Sequence, residues 1–177
     1  MRQNMIHSQS LYRYFDVPGA SQLAVAGHLM FEDMKLDPKN GNRFVVVPVA
    51  DVDKTVINAV RYAKRLSGNI VAVHILLDPS GKDRIEQQWK TQNIDIPLIV
   101  LESPNSSILQ PLTEYVDGIG LRHTGSVVTV VLPVIATSKW WHRFLFNQTA
   151  RLIERAFKGK TGVATVRVPF SLTDTPN

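Results

Sequence analysis

Val127-Val128-Thr129-Val130-Val131-Leu132, followed by Pro133 and then by Trp140-Trp141-His142-Arg143, is the stretch whose reading decides the fold. The apolar run reads as a strand, Pro133 to Lys139 as a loop, and the tryptophan-led pattern to Lys158 as a helix. A run of β-branched residues without polar alternation suits a strand covered on both faces, as in a parallel sheet flanked by helices. Ligands of such sheets gather at the carboxyl ends of the strands. The loop after Leu132 and the helix start behind it are therefore the first place to look for function.

Upstream, the same grammar repeats. Phe44-Val45-Val46-Val47-Pro48-Val49-Ala50 reads as a strand, with Asp51 and Asp53 both available to cap the next helix. Val56, Ala59, Val60, Ala63 and Leu66 recur at helical period opposite Lys54, Asn58, Arg61 and Arg65. Ser67-Gly68-Asn69 closes that helix, and Ile70 to Leu77 forms a second buried strand. Asp78-Pro79-Ser80 opens a more exposed helix with Ile85 and Trp89 facing inward. Pro97 to Leu101 is a third strand. Ser103-Pro104 pairs a capping residue with proline at the first helical position, and predicts a helix that buries Ile108, Leu112, Val116 and Ile119. Downstream, Gly162 to Val168 reads as the last strand. Strands alternating with helices at this spacing predict right-handed βαβ units and a three-layer α/β domain. That domain is expected over residues 43–172, after an arm or linker at 1–42 and before a fraying tail at 173–177.

Composition narrows the function classes. One hundred and seventy-seven residues suffice for one domain with a real core. With no cysteine, the chain has no disulfide scaffold, thiolate metal site or cysteine nucleophile. The formal charge of +5 favours anionic partners, but no run of like charge resembles a nucleic-acid arm, so nucleic acid is not an expected partner. The longest apolar runs fall far short of the roughly twenty residues that span a bilayer. His7, His28, His74, His123 and His142 are scattered without metal-ligand spacing. No Gly-x-Ser-x-Gly elbow, His-Glu-x-x-His pair or Walker loop is present, so no enzyme is expected.

Two sets of residues carry a resemblance. Phe44 to Ala50, Ala63-Lys64-Arg65-Leu66 and Val71-Ala72-Val73-His74 resemble the universal stress protein fold. More specifically, Leu98 to Pro104, Pro111-Leu112, Tyr115-Val116-Asp117, Val128 to Pro133, Trp140-Trp141, Asn147-Gln148-Thr149 and Val166 to Phe170 are similar to a bacterial transporter domain. It is the cytosolic C-terminal domain of amino-acid-permease-superfamily transporters related to KUP-type potassium importers. The resemblance runs from about Arg43 to Leu172. It implies a five-stranded parallel sheet of order 3-2-1-4-5, a homodimer, attachment to a membrane transporter portion, a place on the cytoplasmic side of the membrane, and regulation by cyclic di-AMP. Universal stress proteins that bind ATP carry glycines after strand four, whereas Pro133 to Lys139 has none. Without glycine the backbone does not approach a triphosphate in the usual way. ATP or AMP is thus a less expected ligand than cyclic di-AMP, and no bound cofactor is expected.

Seven residues are candidates for ligand contact: Asp51, His74, Ser138, Lys139, Trp140, Arg143 and Asn147. Asp51 follows the first strand, where a carboxylate accepts from a ribose or an adenine amino group, or caps a helix. His74 lies near the end of the second strand, where the fold places an adenine; a core histidine is the rival reading. Lys139 and Arg143 flank a helix start that favours anions, beside Thr137 and Ser138. Trp140 shares a polar stripe with Arg143, Asn147 and Arg151, and suits either base stacking or packing at a subunit interface. Asn147 pairs a donor with an acceptor, suited to a base or to a neighbouring loop. Trp141, on a stripe with Leu145, Thr149, Leu152 and Ala156, is expected in the core. A structural dimerisation module of the permease and a nucleotide enzyme are the alternatives to a sensor.

Overall fold

The computed structural model describes residues 41–103, 106–136 and 148–171. Five strands, β1 (Arg43–Val49), β2 (Ile70–Leu76), β3 (Leu98–Glu102), β4 (Val127–Ala136) and β5 (Val163–Ser171), form one sheet in the order β3-β2-β1-β4-β5. Every pairing is parallel. The helices α1 (Lys54–Leu66), α2 (Lys82–Thr91), α3 (Leu109–Arg122) and α4 (Gln148–Phe157) cover its two faces.

The uniform apolarity of the central strands follows from that double cover. Phe44, Val46, Val71, Val73, Val128, Val130 and Leu132 pack with α3 and α4, including Leu112, Val116, Ile119, Ile153 and Phe157. The alternate residues Val45, Val47, Val49, Ala72, Val100 and Val131 pack with α1 and α2. Ile85 and Trp89 are fully buried as expected. Trp89 also donates from Nε1 to the Ile96 carbonyl at 3.1 Å, so its one polar atom is satisfied inside the core.

Local chemistry sets the helix ends. Asp53 Oδ1 accepts from the Val56 N–H at 2.9 Å and so caps α1, with Lys64 and Arg65 in the last turn where the dipole favours cations. Asp78 caps a 3-10 turn, Pro79–Gly81, that leads into α2.

Three expectations need correction. First, α3 starts at Leu109 rather than at Ser103-Pro104. Ser103 Oγ instead accepts from the Ser107 N–H at 2.7 Å and donates to the Ser107 carbonyl. Ser106 has φ +52°, a left-handed conformation that no helix continues through. Second, α4 buries Ala150, Ile153 and Phe157, whereas Thr149 is exposed and Leu152 is 49% exposed. The stripe through Thr149 and Leu152 therefore does not face the core: the stripe of Ala150, Ile153 and Phe157 takes the sheet side. Trp141 and Leu145 lie outside the described residues. Third, β4 does not stop at Leu132 but runs on through Pro133 to Ala136, paired with β5 throughout.

Candidate functional site

The path of β4 past Pro133 creates the site. Val127 donates its N–H to Asn42 on the β1 side, and Val128 donates to Gly162 on the β5 side. By the alternation of a parallel ladder, Thr129, Val131 and Pro133 therefore point their backbone nitrogens at β1, and Val130, Leu132 and Val134 at β5.

Beyond Val131, the next two rungs of the β1 ladder would need N–H groups from Pro48 and Pro133. Neither has one. The β1–β4 ladder ends at Val46↔Val130, whereas the β4–β5 ladder continues to Ala136↔Ser171. The sheet forks at its carboxyl end, between the two strands whose connections leave in opposite directions. This is the topological switch point at which ligands of open α/β sheets bind.

At the carboxyl ends of β1 and β2, the described residues include Asp51, His74 and Asp78. Asp51 is exposed, and its Oδ1 accepts from the Val52 N–H at 2.9 Å. Asp53 does the helix capping, which leaves the rest of the Asp51 carboxylate to solvent. His74, at the register position of Val49, is 9% exposed, and its Nδ1 lies 2.9 Å from the Val49 carbonyl. Since a carbonyl only accepts, Nδ1 carries the proton and a neutral ring leaves Nε2 as an acceptor. Burial pushes the His74 pKa below its ordinary 6.5. The Val49 carbonyl opposes that shift, Arg84 adds to it, and Asp51 opposes it more weakly. At Asp78, the Ser80 N–H at 3.0 Å holds the carboxyl below its usual range.

His74 is thus within electrostatic reach of both Arg84 and Asp51. A carboxylate and an imidazole acceptor suit ligand hydroxyl and amino donors, and the exposed guanidinium suits an anion. Arg84 was not among the residues singled out from sequence. Its place in the first turn of a helix following Asp78-Pro79 was the available signal, but only the fold sets that turn beside His74. Ser138, Lys139, Trp140, Arg143 and Asn147 lie outside the described residues, in the connection from β4 to α4. Among the described residues no group of His, Asp or Glu is placed to hold a metal ion, and no helix is long and apolar enough to cross a membrane.

Comparison with known proteins adds three findings. Residues 41–170 match a family described as the KimA potassium transporter C-terminal domain. The potassium transporter KimA of Bacillus subtilis (strain 168) is 29% identical over 149 residues, covering 83% of this chain and 24% of that protein. The chain therefore spans about a quarter of that relative's length. Two structures of pantothenate synthetase from Thermus thermophilus are 12% identical, cover 86% of this chain and 60% of theirs, and superpose with TM-scores of 0.40 and 0.41. A likeness that remote carries no argument about chemistry.

Proposed function

Because the chain belongs to the family of KimA potassium transporter C-terminal domains, we propose that it is the nucleotide-sensing regulatory domain of a potassium importer, with cyclic di-AMP as its ligand. The observation that carries this reading is the fork between β1 and β4, opened by Pro48 and Pro133 at the switch point. Asp51 and His74 lie at the carboxyl ends of β1 and β2, and the Ser138 to Asn147 segment follows β4 in the sequence. Asp51 and the His74 Nε2 accept from adenine and ribose donors. Ser138, Lys139 and Arg143 meet the phosphates, Trp140 stacks on a base, and Asn147 reads a base edge.

The domain works as a homodimer on the cytoplasmic side of the membrane, without turning its ligand over. A two-fold symmetric dinucleotide suits a two-fold interface, since each half meets the same patch. If one arrangement of the dimer binds the ligand better, binding shifts the population toward it and biases the attached transporter by the same free energy.

Calorimetric titration with cyclic di-AMP, and with ATP and AMP at matched salt, tests the reading. Micromolar or tighter binding of the cyclic dinucleotide alone is expected, weakened about tenfold or more by Trp140→Ala, in line with ~1–3 kcal/mol per stacked base. Arg143→Ala should weaken it as well. Preference for ATP or AMP would replace the second-messenger reading with one of energy status. No heat with any nucleotide would leave a structural dimerisation module, and hydrolysis of labelled nucleotide would make the domain an enzyme.

A further inference from the structure

The outward face of α1 carries a feature that nucleotide sensing does not use. Lys54, Arg61 and Arg65 are all exposed and fall on one line along the helix, opposite the buried Val56, Ala59, Val60 and Ala63. Eleven residues of helical rise make that line about 16 Å long. The helix contains no acidic residue, and the neighbouring Asp53 is engaged at the Val56 N–H. On the flank of the same helix Lys64 is paired with Asp95, and away from it Lys160 is paired with Asp117 and Arg167 with Glu154. Among the described residues, none of Lys54, Arg61 and Arg65 forms an ion pair.

We propose that this face of α1 docks on an anionic membrane surface, with Lys54, Arg61 and Arg65 set against lipid phosphates. A straight row of cations on a rigid, core-packed helix matches a plane of anionic headgroups. Two of the three are guanidinium groups, whose fork fits phosphate oxygens in pairs. A single-stranded nucleic acid would call for stacking aromatics on the same face. The one aromatic of α1, Tyr62, packs instead against the core. The inference rests on membership of a transporter-domain family, which places a bilayer near this chain, and not on the identity of the nucleotide.

Flotation of the chain with vesicles of phosphatidylglycerol and phosphatidylcholine, against phosphatidylcholine alone, provides the test. Binding is expected only to the anionic vesicles and should weaken as salt rises. Near a charged surface each cation contributes about fivefold in affinity, so K54Q/R61Q/R65Q should lose on the order of a hundredfold. The single variant R61Q should lose about fivefold, which keeps the test open if the triple variant fails to fold.

R151Q/R155Q/K158Q removes the same charge from exposed positions of α4 and the turn after it, beside Glu154, and should lose far less. Equal loss in both triple variants would reduce the effect to net charge and overturn the proposal. Equal binding to uncharged vesicles would overturn it too, as would tighter binding to a single-stranded oligonucleotide at matched salt. The α1 triple variant should still titrate cyclic di-AMP as the wild type does, so failure of either reading is seen separately.

Discussion

At the amino end of the sheet, polar side chains tie separate segments together, whereas at the carboxyl end the described aspartates close their own loops. Ser67 Oγ donates to the Arg43 carbonyl at 2.9 Å and accepts from the Asn69 N–H at 3.0 Å. Asn69 Nδ2 reaches the carbonyls of Gly41 and Arg43, each at 3.3 Å, and Asn42 Nδ2 reaches the Thr124 carbonyl at 3.0 Å. Ser67 and Asn69 are buried, so each of their bonds replaces one otherwise made with water. At the other end Asp51, Asp53 and Asp78 bond N–H groups one to three residues ahead and remain exposed. His74 reaches from β2 to the Val49 carbonyl of β1, and Asn58 from α1 to the Pro169 carbonyl of β5. The difference separates a fixed base from a rim that has acceptors to spare, which is where a ligand gains most per contact.

Substitutions at the two ends should break this contrast if it is wrong. Asn69→Ala is expected to cost the most, about 2 kcal/mol, because it removes a buried amide together with its bonds to the Gly41 and Arg43 carbonyls. Chemical denaturation measures that loss, and nucleotide binding should be unchanged. Asp53→Ala follows at about 1 kcal/mol, the usual worth of an N-cap.

His74 sharpens the comparison through pH. Its folded pKa lies below the ordinary 6.5, so below that pH the unfolded chain binds more protons and stability falls as pH drops. The slope from this one group is at most about 1.4 kcal/mol per pH unit. His74→Asn keeps a donor for the Val49 carbonyl and removes the titration, so its melting temperature should vary less than that of the wild type between about pH 6.5 and 5. Identical profiles would remove His74 from the account. Asp51→Ala should cost the least, under about 0.5 kcal/mol as for most surface substitutions, while weakening nucleotide binding. A loss of stability as large as that of Asn69→Ala would make the carboxyl rim structural as well.

Much of this was legible in the residues. The inward positions Val56, Ala59, Val60, Ala63, Ile85, Trp89, Leu112, Val116 and Ile119 follow from helical period alone, and all are buried. The order of the strands came through resemblance, since periodicity does not say which neighbour a strand takes. Three places misled. Ser103-Pro104 has the chemistry of a helix start, yet the left-handed Ser106 delays α3 to Leu109. Thr149 and Leu152 share a helical stripe with Trp141, yet Ile153 and Phe157 win the sheet face because they bury more apolar surface. Pro133 reads as a break, yet β4 passes through it.

The carboxyl-end site divides in the same way. The positions of Asp51 and His74 at the carboxyl end of the sheet were legible because each follows or closes an apolar strand. The nearness of Arg84 to His74 was not, because nine residues of sequence separate them and only the packing of α2 on the sheet brings them into electrostatic reach.

By itself the sequence determines the alternation of apolar strands with amphipathic helices, the faces those helices turn inward for the most part, and the absence of thiol chemistry. These depend on residue types at short spacing, where side-chain period and backbone propensity act directly. The tertiary structure alone decides which side of β4 the missing N–H of Pro133 faces. A proline ends a ladder only where its nitrogen points at a partner strand, and that direction is set by the register of β4 between β1 and β5.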